Sequence, residues 1–96
     1  MSPKNKKKLD IIRKKLDKLD NQLLETIKKR TLLVNEVVKL KENKSEIVDQ
    51  KRISSILKNI KAKSIKNNID PKITQKIWKN MISAYIDFEK RNFKKK

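Results

Sequence analysis

Residues 9–41 read LDIIRKKLDKLDNQLLETIKKRTLLVNEVVKLK, with no glycine or proline to interrupt them. Leu9, Ile12, Leu16, Leu19, Leu23, Ile27, Val34 and Val37 recur at steps of three or four, the spacing of one face of an α-helix, apart from one gap. Arg30 fills that gap, and a further step of four from Val37 reaches Lys41, so two cations stand on the stripe that should face the core. A buried cation needs a counter-anion. The pair therefore points to a bound anion or to an internal salt bridge, made to Glu36 or to a carboxylate of another helix. The pattern predicts one helix from about Lys6 to Lys44.

Composition sets the class around that helix. The 96 residues include no glycine, two prolines, no cysteine and no histidine, which leaves little of the punctuation that strands, hairpins or phosphate-cradling loops need. An all-α chain forming one helical domain over 1–96 is expected, with basic tails at 1–7 and 94–96. Cys/His and Ser/His nucleophilic catalysis and the common zinc and haem sites are excluded by residue type, and no metal or cofactor is expected. No apolar run reaches membrane-spanning length, and the lysine-rich start lacks the apolar stretch of a secretory signal. A cytoplasmic location without membrane partners is the expectation.

The formal charge of +17 attracts polyanions in general. However, Trp78, Tyr85, Phe88 and Phe93 all fall in one stretch, and none is interleaved with the basic runs as a single-strand stacking surface requires. Nucleic-acid binding is the distant alternative. The arginines say more. Only four of the 28 basic residues are arginine, and Arg13, Arg30 and Arg52 sit among helical apolar positions. Guanidinium grips carboxylate in a planar, bidentate way, so these three are candidates for a small-anion site.

Two shorter helices follow. Asp49 is a plausible N-cap for a segment with Ile53, Ile56, Leu57 and Ile60 on one face, running to about Asn67. Asp70 followed by Pro71 is a strong start signal for a third helix. It carries Ile73, Ile77, Trp78, Met81, Ile82, Tyr85 and Phe88, and runs to about Phe93.

Helix geometry then predicts an oligomer. A helix of nearly forty residues is close to 60 Å long, whereas a compact chain of this size is about 30 Å across. Two short helices cannot cover its stripe, so a homodimer is expected in which the long helices run past one another. On a continuous helix Arg30 and Lys41 would lie roughly 20° apart around the axis and about 16 Å apart along it. Two long side chains at that separation leave room for a small dianion. Arg13 would lie about 25 Å up the helix from Arg30, so an antiparallel partner would have to bring its copy across. Arg52 and Glu89, the latter continuing the stripe of Trp78, Ile82 and Tyr85, could close the site.

These charged positions and helix joints resemble the all-helical chorismate mutase family. The resemblance rests on Arg13 in the leading helix, Leu23-Leu24-x-x-Ile27-x-x-Arg30, Val37-Val38-Lys39-Leu40-Lys41, Ile47-Val48-Asp49-Gln50-Lys51-Arg52 and Ile69-Asp70-Pro71. It covers residues 9 to 93. It implies an intertwined homodimer with two shared sites, each rearranging chorismate to prephenate without a cofactor. It assigns Arg13 of the partner subunit and Arg30 to the two substrate carboxylates, and Lys41 to the ether oxygen and a carboxylate. Arg52 would support the carboxylate end, Asp49 would lie by the ring hydroxyl and Glu89 would face the ether oxygen. The chain departs from the family pattern in three places. Ile53 replaces a frequent glutamate, Tyr85 stands where a small polar residue is common, and Glu89 takes a position that is often glutamine. An apolar residue after Arg52 and a tyrosine at 85 also resemble the related isochorismate pyruvate lyases, which makes salicylate formation the alternative activity. Two of these residues have a plainer alternative role, Asp49 as a helix cap and Glu89 as a partner for a lysine.

Overall fold

A computed structural model describes residues 1–95; Lys96, the last residue of the expected basic tail, lies outside them. Among the described residues the chain contains three α-helices and no strand: α1 (Pro3–Leu40), α2 (Gln50–Lys66) and α3 (Pro71–Asn92), with a single 3-10 turn at Lys44–Glu46. It divides into two units, Met1–Leu33 and Val34–Lys96.

The first unit is helical from Pro3, three residues ahead of the expected start, and the Ser2 hydroxyl accepts from the Asn5 N–H at 3.2 Å. Every residue from Asp10 to Lys29 is exposed. That includes the predicted stripe, of which Ile12, Leu16, Leu19 and Leu23 are 52 to 58% exposed. A helix this apolar on one side gains little from its own hydrogen bonds in water and needs its face covered to be stable.

The second unit holds the end of α1 and a helical hairpin in which α2 packs against α3. Both starts follow the sequence signals. The Asp49 carboxylate accepts from the Arg52 N–H at 3.0 Å, and Asp70 accepts from the Lys72 N–H at 2.9 Å ahead of Pro71. Ile53, Ile56, Leu57 and Ile60 of α2 are half-buried, as are Trp78, Met81, Ile82 and Tyr85 of α3. Ile73 and Ile77, expected on the apolar face of α3, are exposed.

The joint between α2 and α3 is built without glycine. Asn68 takes φ 58°, the left-handed region that asparagine tolerates better than most residues. The Ile69 N–H then reaches the Ser64 carbonyl at 2.8 Å and the Asn68 N–H reaches that of Ile65 at 3.2 Å, the paired bonds of a Schellman C-cap. Just inside the joint Ser64 and Thr74 are buried with their hydroxyls 2.7 Å apart. The Ser64 proton goes to the Ile60 carbonyl at 2.6 Å, so Thr74 is the donor of that contact. Farther along α2, the Gln75 amide donates to the Leu57 carbonyl at 2.9 Å.

The end of α1 differs from expectation. The helix stops at Leu40 rather than near Lys44, and Lys41 lies outside it. The Lys41 N–H bonds back to the Val38 carbonyl at 3.3 Å, a three-residue closure that tightens the last turn. The next two donors, the N–H groups of Glu42 and Asn43, both reach the Glu46 carboxylate oxygen Oε2 at 2.7 Å. Ile47, 3% exposed, anchors the segment that follows.

Candidate active site

The second unit places Lys41 and Glu89 together. Lys41 Nζ donates to Glu89 Oε1 at 2.9 Å, and both side chains are largely covered, with 19% and 10% of their surface exposed. Lys41 comes from the first residue after α1, where a cation also faces the negative end of the helix dipole. Glu89 comes from the last turns of α3 and is among the few polar residues the second unit buries. A covered carboxylate of this kind requires a partner. Lys41 supplies it from 48 positions away in the chain.

The remaining expected residues of this unit gather near the start of α2 and the end of α3. Asp49 is exposed and caps α2. Arg52, in the first turn of α2, is exposed, with its guanidinium on a helix whose start is pinned by its own backbone N–H. Ile53 beside it is half-buried. Tyr85, one helical turn before Glu89, is half-buried and meets Phe88 edge to face, with ring centres 6.3 Å apart and planes at 88°. A cleft of about 540 Å³ is lined by Lys41, Glu46, Val48, Asp49, Gln50 and Lys51.

Arg13 and Arg30 belong to the first unit, Arg13 exposed and Arg30 half-buried on α1. The continuous helix assumed from Arg30 to Lys41 ends one residue short, at Leu40. The salt bridge anticipated for the cations of the stripe does form at Lys41, to a carboxylate of another helix and not to Glu36. The alternative roles noted for Asp49 and Glu89 are likewise both seen, a cap and a lysine pairing.

Glu46 is the residue that sequence reading missed. Its signal was present as Asn43-x-x-Glu46, the spacing at which a glutamate side chain reaches back to the cap N–H.

Comparison of the sequence with protein families gives one decisive result: the pattern described as chorismate mutase type II matches residues 12–90, most of the chain. The chain belongs to the chorismate mutase type II family. The protein is thus an enzyme of the isomerase kind, a chorismate mutase. Neither the curated proteins nor the solved structures contain a match to it. The match runs from Ile12, the second residue of the apolar stripe on α1, to one residue past Glu89, so it takes in every residue expected at a chorismate mutase site. Among the described residues no helix is long and apolar enough to cross a membrane.

Proposed function

We propose that two copies of this chain form an intertwined homodimer with two shared sites, each converting chorismate to prephenate. The observation that carries this reading is the uncovered stripe of α1, where Ile12, Leu16, Leu19 and Leu23 stand more than half exposed in a single chain. The chain exposes 8463 Å². A folded monomer of 11.4 kDa exposes about 5,800 Å², so the lone chain shows almost half as much again. Covering the stripe is worth roughly 25 cal/mol per Å² of apolar surface, and a second α1 is the complementary surface at hand.

The dimer also completes the site. Arg30 of one chain and the partner subunit's Arg13 would hold the two carboxylates of the substrate, each by a planar pair of N–H donors. That grip folds the enolpyruvyl arm over the ring, which supplies much of the rate advantage of a unimolecular reaction. As the ether C–O bond breaks and the new C–C bond forms, negative charge grows on the ether oxygen. Lys41 would donate to it, from a position where water is largely excluded and a fixed donor acts strongly. Glu89, held by Lys41 at 2.9 Å, would face the ether oxygen from the other side. Arg52 would support a carboxylate, with Asp49 by the ring hydroxyl and Tyr85 on the wall beside Glu89. No nucleophile takes part.

Incubating the purified protein with chorismate and, separately, with isochorismate tests the assignment. Prephenate from chorismate is the expected product. Salicylate and pyruvate from isochorismate, with chorismate left untouched, would transfer the site to the lyase reaction favoured by Ile53 and Tyr85.

A further inference from the structure

No glycine or proline lies between Lys4 and Asp70, and Lys41, Glu42 and Asn43 are acceptable in a helix, so nothing in the local composition stops α1 at Leu40. Were the helix to continue, the Glu42 N–H would bond to the Val38 carbonyl and the Asn43 N–H to the Lys39 carbonyl. Both donors instead converge on a single oxygen, Glu46 Oε2, at 2.7 Å each. Asn43 turns to an extended conformation (φ −124°, ψ 142°), and the 3-10 turn that follows is closed by Glu46 N–H to the Asn43 carbonyl at 3.0 Å. The carboxylate therefore removes the two donors that the next step of α1 would use. Lys41 sits directly upstream of them, and its Nζ lies 2.9 Å from Glu89.

We infer that Glu46 is a positioning residue, whose carboxylate ends α1 at Leu40 and so sets the Lys41 ammonium against Glu89. The inference rests on the reading that Lys41 acts on the substrate. Glu46 has no assigned part at the ether oxygen. It works through the backbone, and without it α1 winds on by about one turn and carries the Lys41 side chain around the helix axis.

The convergence on one oxygen makes the test selective. Glutamine keeps one side-chain oxygen at the same reach and can still accept both bonds, whereas alanine accepts none and aspartate is one methylene short. The chemical shifts of residues 41–44 and the rate of prephenate formation are measured for the parent, Glu46→Ala, Glu46→Gln and Lys41→Ala. Glu46→Ala is expected to shift residues 41–44 toward helical values and to lower kcat by about a hundredfold with a much smaller change in KM, the penalty of a misplaced catalytic group. Glu46→Gln should restore most of both. If Glu46→Ala does not fold, Glu46→Asp takes its place with the same expectation. Parent-like shifts and kcat in the alanine or aspartate variant would overturn the inference. So would a loss that glutamine does not restore, because the charge rather than the accepting oxygen would then matter. Parent-like activity in Lys41→Ala would instead sink the role given to Lys41 and leave the backbone role of Glu46 to be decided by the shifts alone.

Discussion

Lys41 and Glu89 meet at 2.9 Å, joining the residue that follows α1 to the last turns of α3, with 19% and 10% of their side-chain surface exposed. The contact unites the only two residues of the second unit that were assigned to the ether oxygen of the substrate. Each satisfies the other, and on the proposed mechanism chorismate would bring its ether oxygen between them.

Removing the lysine takes away a donor and leaves a covered carboxylate without its ion-pair partner. Lys41→Ala should lower kcat by two to three orders of magnitude, the usual cost of about 3 to 4 kcal/mol for one preorganised donor. It should also lower the denaturation midpoint. A variant that loses stability but keeps kcat would show that the pair is purely structural.

Glu89 makes the opposite demand. A carboxylate repels charge growing on the ether oxygen, whereas an amide N–H donates to it, so Glu89→Gln should keep or raise kcat. An inactive Gln variant would remove this role from Glu89.

Assembly is open to a concentration test. If only a second copy covers Ile12, Leu16, Leu19 and Leu23, dissociation and unfolding coincide and the midpoint rises with protein concentration. Sedimentation of Leu16→Lys/Leu23→Lys should show loss of the dimer together with loss of helical signal. A folded, active monomer would refute the shared site.

Sharing can be read directly by mixing. Arg13→Ala and Arg30→Ala should each be nearly inactive. An equal mixture under exchange should recover about a quarter of the parent's sites, because half of the dimers are mixed and each of those has one intact pocket of two. No recovery, with mixed dimers confirmed, would mean that Arg13 serves its own chain or none.

The left-handed Asn68 predicts a simple stability series. Asn68→Ala should cost about 1 kcal/mol, and Asn68→Gly should be neutral or stabilising by several tenths, since glycine alone enters φ 58° freely. Equal loss in both variants would indicate that the asparagine side chain, rather than its backbone, holds the joint.

Much of this architecture could be read from local chemistry. Asp49, Asp70 and Pro71 announced two helix starts because a cap acts within three residues of itself. The stripe from Leu9 to Val37 gave the long helix, and in a single chain its apolar face stands exposed. The cation at Lys41, misplaced among apolar positions, pointed to a buried ion pair, and the structure pairs it with Glu89. The end of α1 escaped notice because its stop signal is not a helix breaker but the side chain of Glu46, which reaches back over the turn. The pairing of Lys41 with Glu89 depends on how the hairpin folds back, and no local pattern encodes it. Burial was the other blind spot, because periodicity names the apolar face but not the molecule that covers it.

The buried contact between Ser64 and Thr74 bears on how the hairpin finds its alignment. Isoleucine-rich faces are nearly self-similar, and sliding α3 along α2 by one turn, about 5.4 Å, would exchange one set of apolar neighbours for another at little cost. The hydroxyl pair breaks that degeneracy. A slipped hairpin would lose the contact between the two hydroxyls, worth about 0.5 to 1.5 kcal/mol, so the pair acts as a dowel that favours one offset. Arg52 rides on α2 and Glu89 on α3, so the vernier between them is set at the far end of the hairpin, by two residues beside its joint.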